Sequence, residues 1–154
     1  MEITMKIRTP FISAVLFSLI ASTAMAERIN VASNAAVDQS VARLTNAVEA
    51  AGARVFAKVD FAQGAASVGE DLRPTTVVIF GSPKIGAKAL RDGQTMALYL
   101  PLCILFFEDA NGQTWATYDD PTAVALTHGL AADNPAVLAM QRALERFSAI
   151  AAGQ

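Results

Sequence analysis

Leu102-Cys103-Ile104-Leu105-Phe106-Phe107-Glu108-Asp109-Ala110-Asn111-Gly112-Gln113-Thr114-Trp115-Ala116-Thr117-Tyr118 is the stretch that decides the fold. Two runs rich in aromatic and β-branched residues flank a polar break, and Asn111-Gly112 within it is the strongest turn signal in the chain. Strands joined by so short a loop must run antiparallel, because a parallel pair needs a crossover of a dozen or more residues. A hairpin over 102–107 and 113–118 is therefore the first expectation.

The neighbouring segments extend that hairpin into a sheet. Thr75 to Phe80 is a continuous β-branched and aromatic run, the pattern of a central strand, and Gly81-Ser82-Pro83 ends it. Pro83 starts a short helix through Leu90. Thr95 to Leu100 reads as another strand, stopped at Pro101, which has no N–H to donate to a ladder. Further upstream, Arg54 to Phe61 alternates, with Val55, Ala57, Val59 and Phe61 on one face and Lys58 and Asp60 on the other. Ala62 to Gly69 is small-residue sequence suited to a short helix. Ile29-Asn30-Val31 reads as a first strand. Val37, Val41, Leu44, Val48 and Ala51 then form one helical stripe, capped by Ser33 or Asn34 and stopped by Gly52.

After the hairpin, Asp120-Pro121 opens a helix that ends near Gly129, and Asp133-Asn134-Pro135 opens a last one over 135–152. Val137, Gln141, Leu144, Phe147 and Ala151 run along its expected inner face. The series implies an α+β fold, a mainly antiparallel sheet with helices packed on one face.

The chain has 154 residues, 53% of them hydrophobic and 17% charged, with one Cys and one His. Residues 1–26 read as a signal peptide. Lys6 and Arg8 supply the positive start, Phe11 to Ala21 the apolar run, and Ala24-Met25-Ala26 the cleavage pattern, placing the cut between Ala26 and Glu27. The apolar run is 11 residues long, against roughly 20 for a membrane span. The expected destination is export, to the periplasm, with no membrane association after cleavage.

Residues 27–154 form one domain of 128 residues with a net charge of −3 and no Lys/Arg cluster, which argues against a nucleic-acid surface. Of these residues 27 are Ala, so the core of larger side chains is modest, and a small exported domain with no internal disulfide has reason to form a homodimer. Cys103 is either an intermolecular or reactive thiol or a small buried hydrophobe, and its neighbours Leu102 and Ile104, with no adjacent Lys, Arg or His, favour the buried reading.

Few residues carry chemistry. Gly81-Ser82-Pro83-Lys84-Ile85-Gly86-Ala87-Lys88 lies at a strand-to-helix turn, but a P-loop needs Lys and then a hydroxyl directly after its last Gly, and Ala87 and Ala89 break that pattern. What survives is a helix start beside Lys84 that suits a small molecule or anion. His128 is the one imidazole. No Cys-x-x-Cys, His-Glu-x-x-His or Gly-x-Ser-x-Gly motif accompanies it. The acidic pairs Glu108/Asp109 and Asp119/Asp120 flank the hairpin and, if they met at one open end, would suit a hard cation. Turn and cap roles explain them without one. Tyr99, Trp115 and Tyr118 are the remaining aromatic candidates for a patch.

Several motifs in order resemble the domain-of-unknown-function 302 (DUF302) family. These are Val55-Phe56-Ala57-Lys58-Val59-Asp60-Phe61, Gly64-Ala65, Val68-Gly69, Leu72-Arg73-Pro74-Thr75 and Phe80-Gly81-Ser82-Pro83-Lys84. Leu98-Tyr99-Leu100-Pro101-Leu102, Trp115, Tyr118 and His128-Gly129 continue the series, so the likeness spans about 27–130. Ser82, Tyr99 and Cys103 stand where the family usually has Asn, an acid and a base. The resemblance implies a TATA-binding-protein-like β-α-β4-α topology, often as a dimer, and leaves the activity unassigned.

Three readings of function follow. The first is a non-enzymatic ligand- or cofactor-binding module holding its ligand at Gly81, Pro83, Lys84 and His128, the ligand itself being unassigned. The second is an enzyme with His128 as general acid/base, assisted by Lys84 or Asp119. The third is a haem or metal binder through His128, with Met96 or Met140 as a second haem ligand.

Overall fold

The computed structural model describes residues 27–154; the expected signal peptide and its cut after Ala26 lie outside or at the edge of that range. The hairpin is present as β4 (Leu102–Glu108) and β5 (Thr114–Asp119), in the register Phe107 to Trp115 and Leu105 to Thr117. Asp109 fixes the turn: its Oδ1 accepts from the backbone N–H of Asn111 at 2.8 Å and of Gln113 at 3.0 Å. Its Oδ2 accepts from the Trp115 indole at 2.9 Å. Gly112 supplies the left-handed residue of the turn at φ 80°.

Around this hairpin the sheet is completed by β1 (Arg28–Ala32), β2 (Arg54–Asp60) and β3 (Thr75–Gly81), in the order β1-β5-β4-β3-β2 with every pair antiparallel. The helices are α1 (Val37–Ala50), α2 (Phe61–Ala66), α3 (Pro83–Asp92), α4 (Pro121–Thr127) and α5 (Pro135–Ala152). α1 and α5 pack together on one sheet face. Their apolar stripes meet β3, β4 and β5 in the main core of Leu44, Val48, Val78, Phe80, Ile104, Phe106, Ala116, Leu144 and Phe147. A second core lies where α3, α4 and the first turns of α5 meet, built on Ala89, Met96, Val124, Leu130, Val137 and Met140. This is the α+β architecture the pattern implied, and apart from α2 and α3 between the strands it follows the β-α-β4-α order that the resemblance implied.

Five details depart from expectation, each for a local reason. Thr95 to Leu100 is not a strand: Gln94–Tyr99 forms a 3₁₀ turn. Alternation would place Met96 and Leu98 on one face, yet Met96 is 1% exposed and Leu98 81%. The alternation along β2 also breaks. A bulge between Val55 and Ala57 leaves Val55 opposite Phe80 on the helix-covered face, while Ala57 and Val59 align with Ile79 and Val77 on the other face. Phe61 leaves the strand altogether and starts α2, whose N-cap Asp60 accepts from the Gln63 amide at 2.9 Å.

The cap of α1 is Ala36, with no side-chain bond; Ser33 instead accepts from the Ala35 amide and shares a 2.8 Å hydroxyl contact with buried Ser40. Cys103, expected in the core, is exposed, because its register partner Ile79 belongs to the face turned away from the helices.

Candidate functional site

A concavity opens where the β2 bulge, the end of β3, α3 and α5 converge. Gly52 ends α1 at φ 71°, which turns the chain into β2 and leaves Ala51, Gly52 and Ala53 as one wall. The bulge puts Phe56 on the rim, 45% exposed. Phe80 and Phe147 form the floor, edge to face at 5.6 Å between centroids and 84° between planes. Ile85, Leu90, Leu100, Leu102 and Met140 close the remaining sides. The cavity has a volume of about 520 Å³, and none of the described residues that line it is charged. Such a volume lies within the usual range of small-molecule sites, about 300–1,000 Å³.

The structure divides the residues singled out from the sequence. Gly81 and Pro83 line this cavity, as does Ser82 between them; Lys84, the next residue, is exposed in the first turn of α3 and is not part of the lining. His128 is elsewhere, at the C-cap of α4. Its Nδ1 lies 2.9 Å from the Thr95 hydroxyl, and its ring stacks at a tilt on Tyr99, 5.1 Å between centroids. Asp119 pairs with Arg28 at 3.4 Å and borders a second pocket of about 60 Å³ with Met96, Tyr99 and Cys103. His128, Lys84 and Asp119 thus share neither cavity. Met96 and Met140 are both 1% exposed in the second core, and Met140 alone of the pair borders the larger cavity.

The two acidic pairs lie at opposite ends of the hairpin, since Glu108 faces Thr114 while Asp119 ends β5. No group of three His, Cys, Asp or Glu side chains gathers to hold a metal among the described residues. The Trp115 indole, followed by the turn amides of Gln113 and Asn111, holds the Asp109 carboxyl below the ordinary carboxylate range. Asp120 caps α4, accepting from the Thr122 amide and hydroxyl at 2.8 Å each. Although Cys103 is exposed as a residue, desolvation of its thiol, reinforced by the Asp119 charge, raises its pKa. A thiol held in that direction is a poor nucleophile. Tyr99 packs on His128 rather than joining Trp115 or Tyr118 in a patch.

Sequence reasoning missed Phe56 and Gly93. Phe56 reaches the cavity only because of the bulge. Gly93, between α3 and the 3₁₀ turn, is where a Cβ would collide with the Leu130 side chain and come within 3.0 Å of the His128 carbonyl.

An antiparallel sheet with α1 and α5 packed on one face, and an apolar cavity under the third helix, defines an α+β domain of the sheet-and-helix type. The chain belongs to the DUF302 family, described as a domain of unknown function, whose model matches residues 29–150 and so includes most of α5. A crystal structure of an uncharacterized conserved DUF302 protein from Bacillus stearothermophilus has the same fold, with a TM-score of 0.70 at 16% identity. That match covers 80% of this chain and 97% of the other. The chain is also 35% identical over 102 residues to the fluoride-specific ion channel FluC 1 of Brucella suis biovar 1 and to FluC 1 of Brucella abortus biovar 1. These alignments cover 66% of this chain but 40% and 38% of the channels, so the chain spans about two fifths of their length. Among the described residues no helix is long and apolar enough to cross a membrane.

Proposed function

We propose that this protein is a small exported, non-enzymatic module that binds an apolar small molecule in the cavity beneath α3. The observation that carries the reading is the cavity itself: about 520 Å³ of space walled by three Phe rings and aliphatic side chains, with Gly81, Ser82 and Pro83 at its edge. The concavity opens to solvent, so what it offers a guest is apolar wall to bury, the usual lining of a small-molecule site. Titration with decanol tests the reading, with one molecule bound per chain expected; no binding by calorimetry refutes it.

Export to the periplasm rests on the pattern of residues 1–26 and is tested by cell fractionation and by an N-terminus at Glu27. Homodimerisation is supported by the sheet face away from α1 and α5, where Val77, Ile79, Leu105, Phe107 and Trp115 are only half-buried in one chain. Leu105→Lys would then yield a monomer by sedimentation, and a wild-type monomer at micromolar concentration refutes the dimer. In the related channels, we infer, the shared segment is a folded appendage and not the conducting part. A cavity lined by no charged side chain offers little to a strongly hydrated anion such as fluoride.

A further inference from the structure

The cavity walls are mostly apolar, but the mouth is polar. Arg54 opens β2 directly opposite Gly81, one residue before the N-cap of α3. Its guanidinium lies over the Phe56 ring, 5.3 Å from the centroid. The same ring lies 3.9 Å from where a Cβ on Gly81 would stand. Arg54 is therefore held at the rim by a residue that lines the cavity. Among the described residues the one ion pair is Arg28–Asp119, which leaves Arg54 without a carboxylate partner. On the other side of Gly81, Ser82 caps α3 without a side-chain bond to it, and Pro83 occupies the first helical position. Ser82 and Pro83 both line the cavity, so the positive end of α3 meets the space that Arg54 overlooks.

We propose that the ligand is an amphipathic monocarboxylate, a fatty-acid-like molecule. Its hydrocarbon chain lies against Phe80, Phe147 and Met140, and its carboxylate sits at the mouth against Arg54 and the start of α3. This rests on the ligand-binding reading above and adds a headgroup to it. A neutral apolar guest would use the walls alone. A compact anion would use the mouth alone and forgo the burial that the walls offer. Only a molecule with both parts engages the whole site. The planar guanidinium is suited to a carboxylate through two parallel N–H···O bonds, which a Lys at the same place would not reproduce.

The test is calorimetric titration of the full chain at pH 8 with decanoate and, separately, with decanol of the same length. Both should bind once per chain, decanoate about tenfold tighter, as one charge-assisted contact at a partly wet mouth implies. Arg54→Gln should remove that advantage and leave decanol binding unchanged, which also reports that the variant is folded. Arg54→Lys should restore part of it. If decanoate and decanol bind wild-type protein equally, or the preference survives in Arg54→Gln, the headgroup assignment is wrong while the cavity reading stands. If neither binds, both fall together.

Discussion

Ala143 and Ala151 lie two turns apart on α5, and enlarging each to Leu separates an open cavity from a packed core. Ala143 borders the cavity beneath α3, whereas Ala151 is 0% exposed within the main core. The two exchanges share a helix and a chemistry, and Leu is nearly as good a helix former as Ala. At position 143 the new side chain enters existing space. Burying a Leu side chain gains roughly 1.5–3 kcal/mol and ordering it costs about 0.5–1 kcal/mol, so Ala143→Leu should stabilise by about 1 kcal/mol. At position 151 the same atoms have no room, and overpacking should destabilise by about 1–3 kcal/mol. Urea unfolding at 25 °C reads both. With a slope of about 1.5 kcal/mol per molar, the midpoint rises by roughly 0.7 M for Ala143→Leu and falls by roughly 0.7–2 M for Ala151→Leu. Ala143→Leu should also weaken decanol binding. Equal destabilisation by both variants would mean that the space beneath α3 is not open in solution, and the reasoning would fail.

Gly93→Ala should cost about 1–3 kcal/mol in urea unfolding, because its Cβ displaces buried Leu130; an unchanged midpoint contradicts the packing there. Asp109, held below the ordinary carboxylate range, contributes stability that is present above its unfolded pKa of about 4 and is lost as pH falls through the lower folded value. Asp109→Asn should therefore flatten the acid limb of stability followed by Trp115 fluorescence, and an unaltered acid limb would contradict the turn assignment. Cys103 should react with a disulfide reagent at pH 8 more slowly than a free cysteine, since its raised pKa keeps the thiol protonated. Asp119→Asn should quicken that reaction, and a rate equal to that of free cysteine would show that the thiol is not desolvated.

The hairpin, the helix stripes and the helix starts were legible in the chain because each depends on neighbours in sequence. Asn111-Gly112 sets the turn, Val37 through Val48 the stripe of α1, and Asp120-Pro121 and Asn134-Pro135 the starts of α4 and α5. What misled were features whose outcome depends on distant partners. Met96-Ala97-Leu98-Tyr99 carries apolar residues at spacings that a strand and a 3₁₀ turn share, and only the second core, which takes Met96 and leaves Leu98 in solvent, decides between them. The β2 bulge has no mark in the alternation of Arg54 to Phe61, yet it reverses the face of every residue after Val55. Half of the candidate site was legible for the same reason. The turn at Gly81–Pro83 is local, and it lines the cavity. The walls come from the turn after α1 and from β2, β4 and α5, and no local pattern brings those together. His128 drew attention as the sole imidazole, but its partners are Thr95 and Tyr99 and it lines neither cavity.

The central claim is that the space beneath α3 is where this protein takes its ligand. The most direct measurement is a two-dimensional amide NMR titration of ¹⁵N-labelled protein with decanol. Saturable shifts are expected at Gly52, Gly81, Ser82, Gly86 and Ala143, with Gly112 and Asn111 at the far turn unmoved. Shifts centred on the opposite sheet face around Val77 and Leu105, or none at saturation, would contradict it.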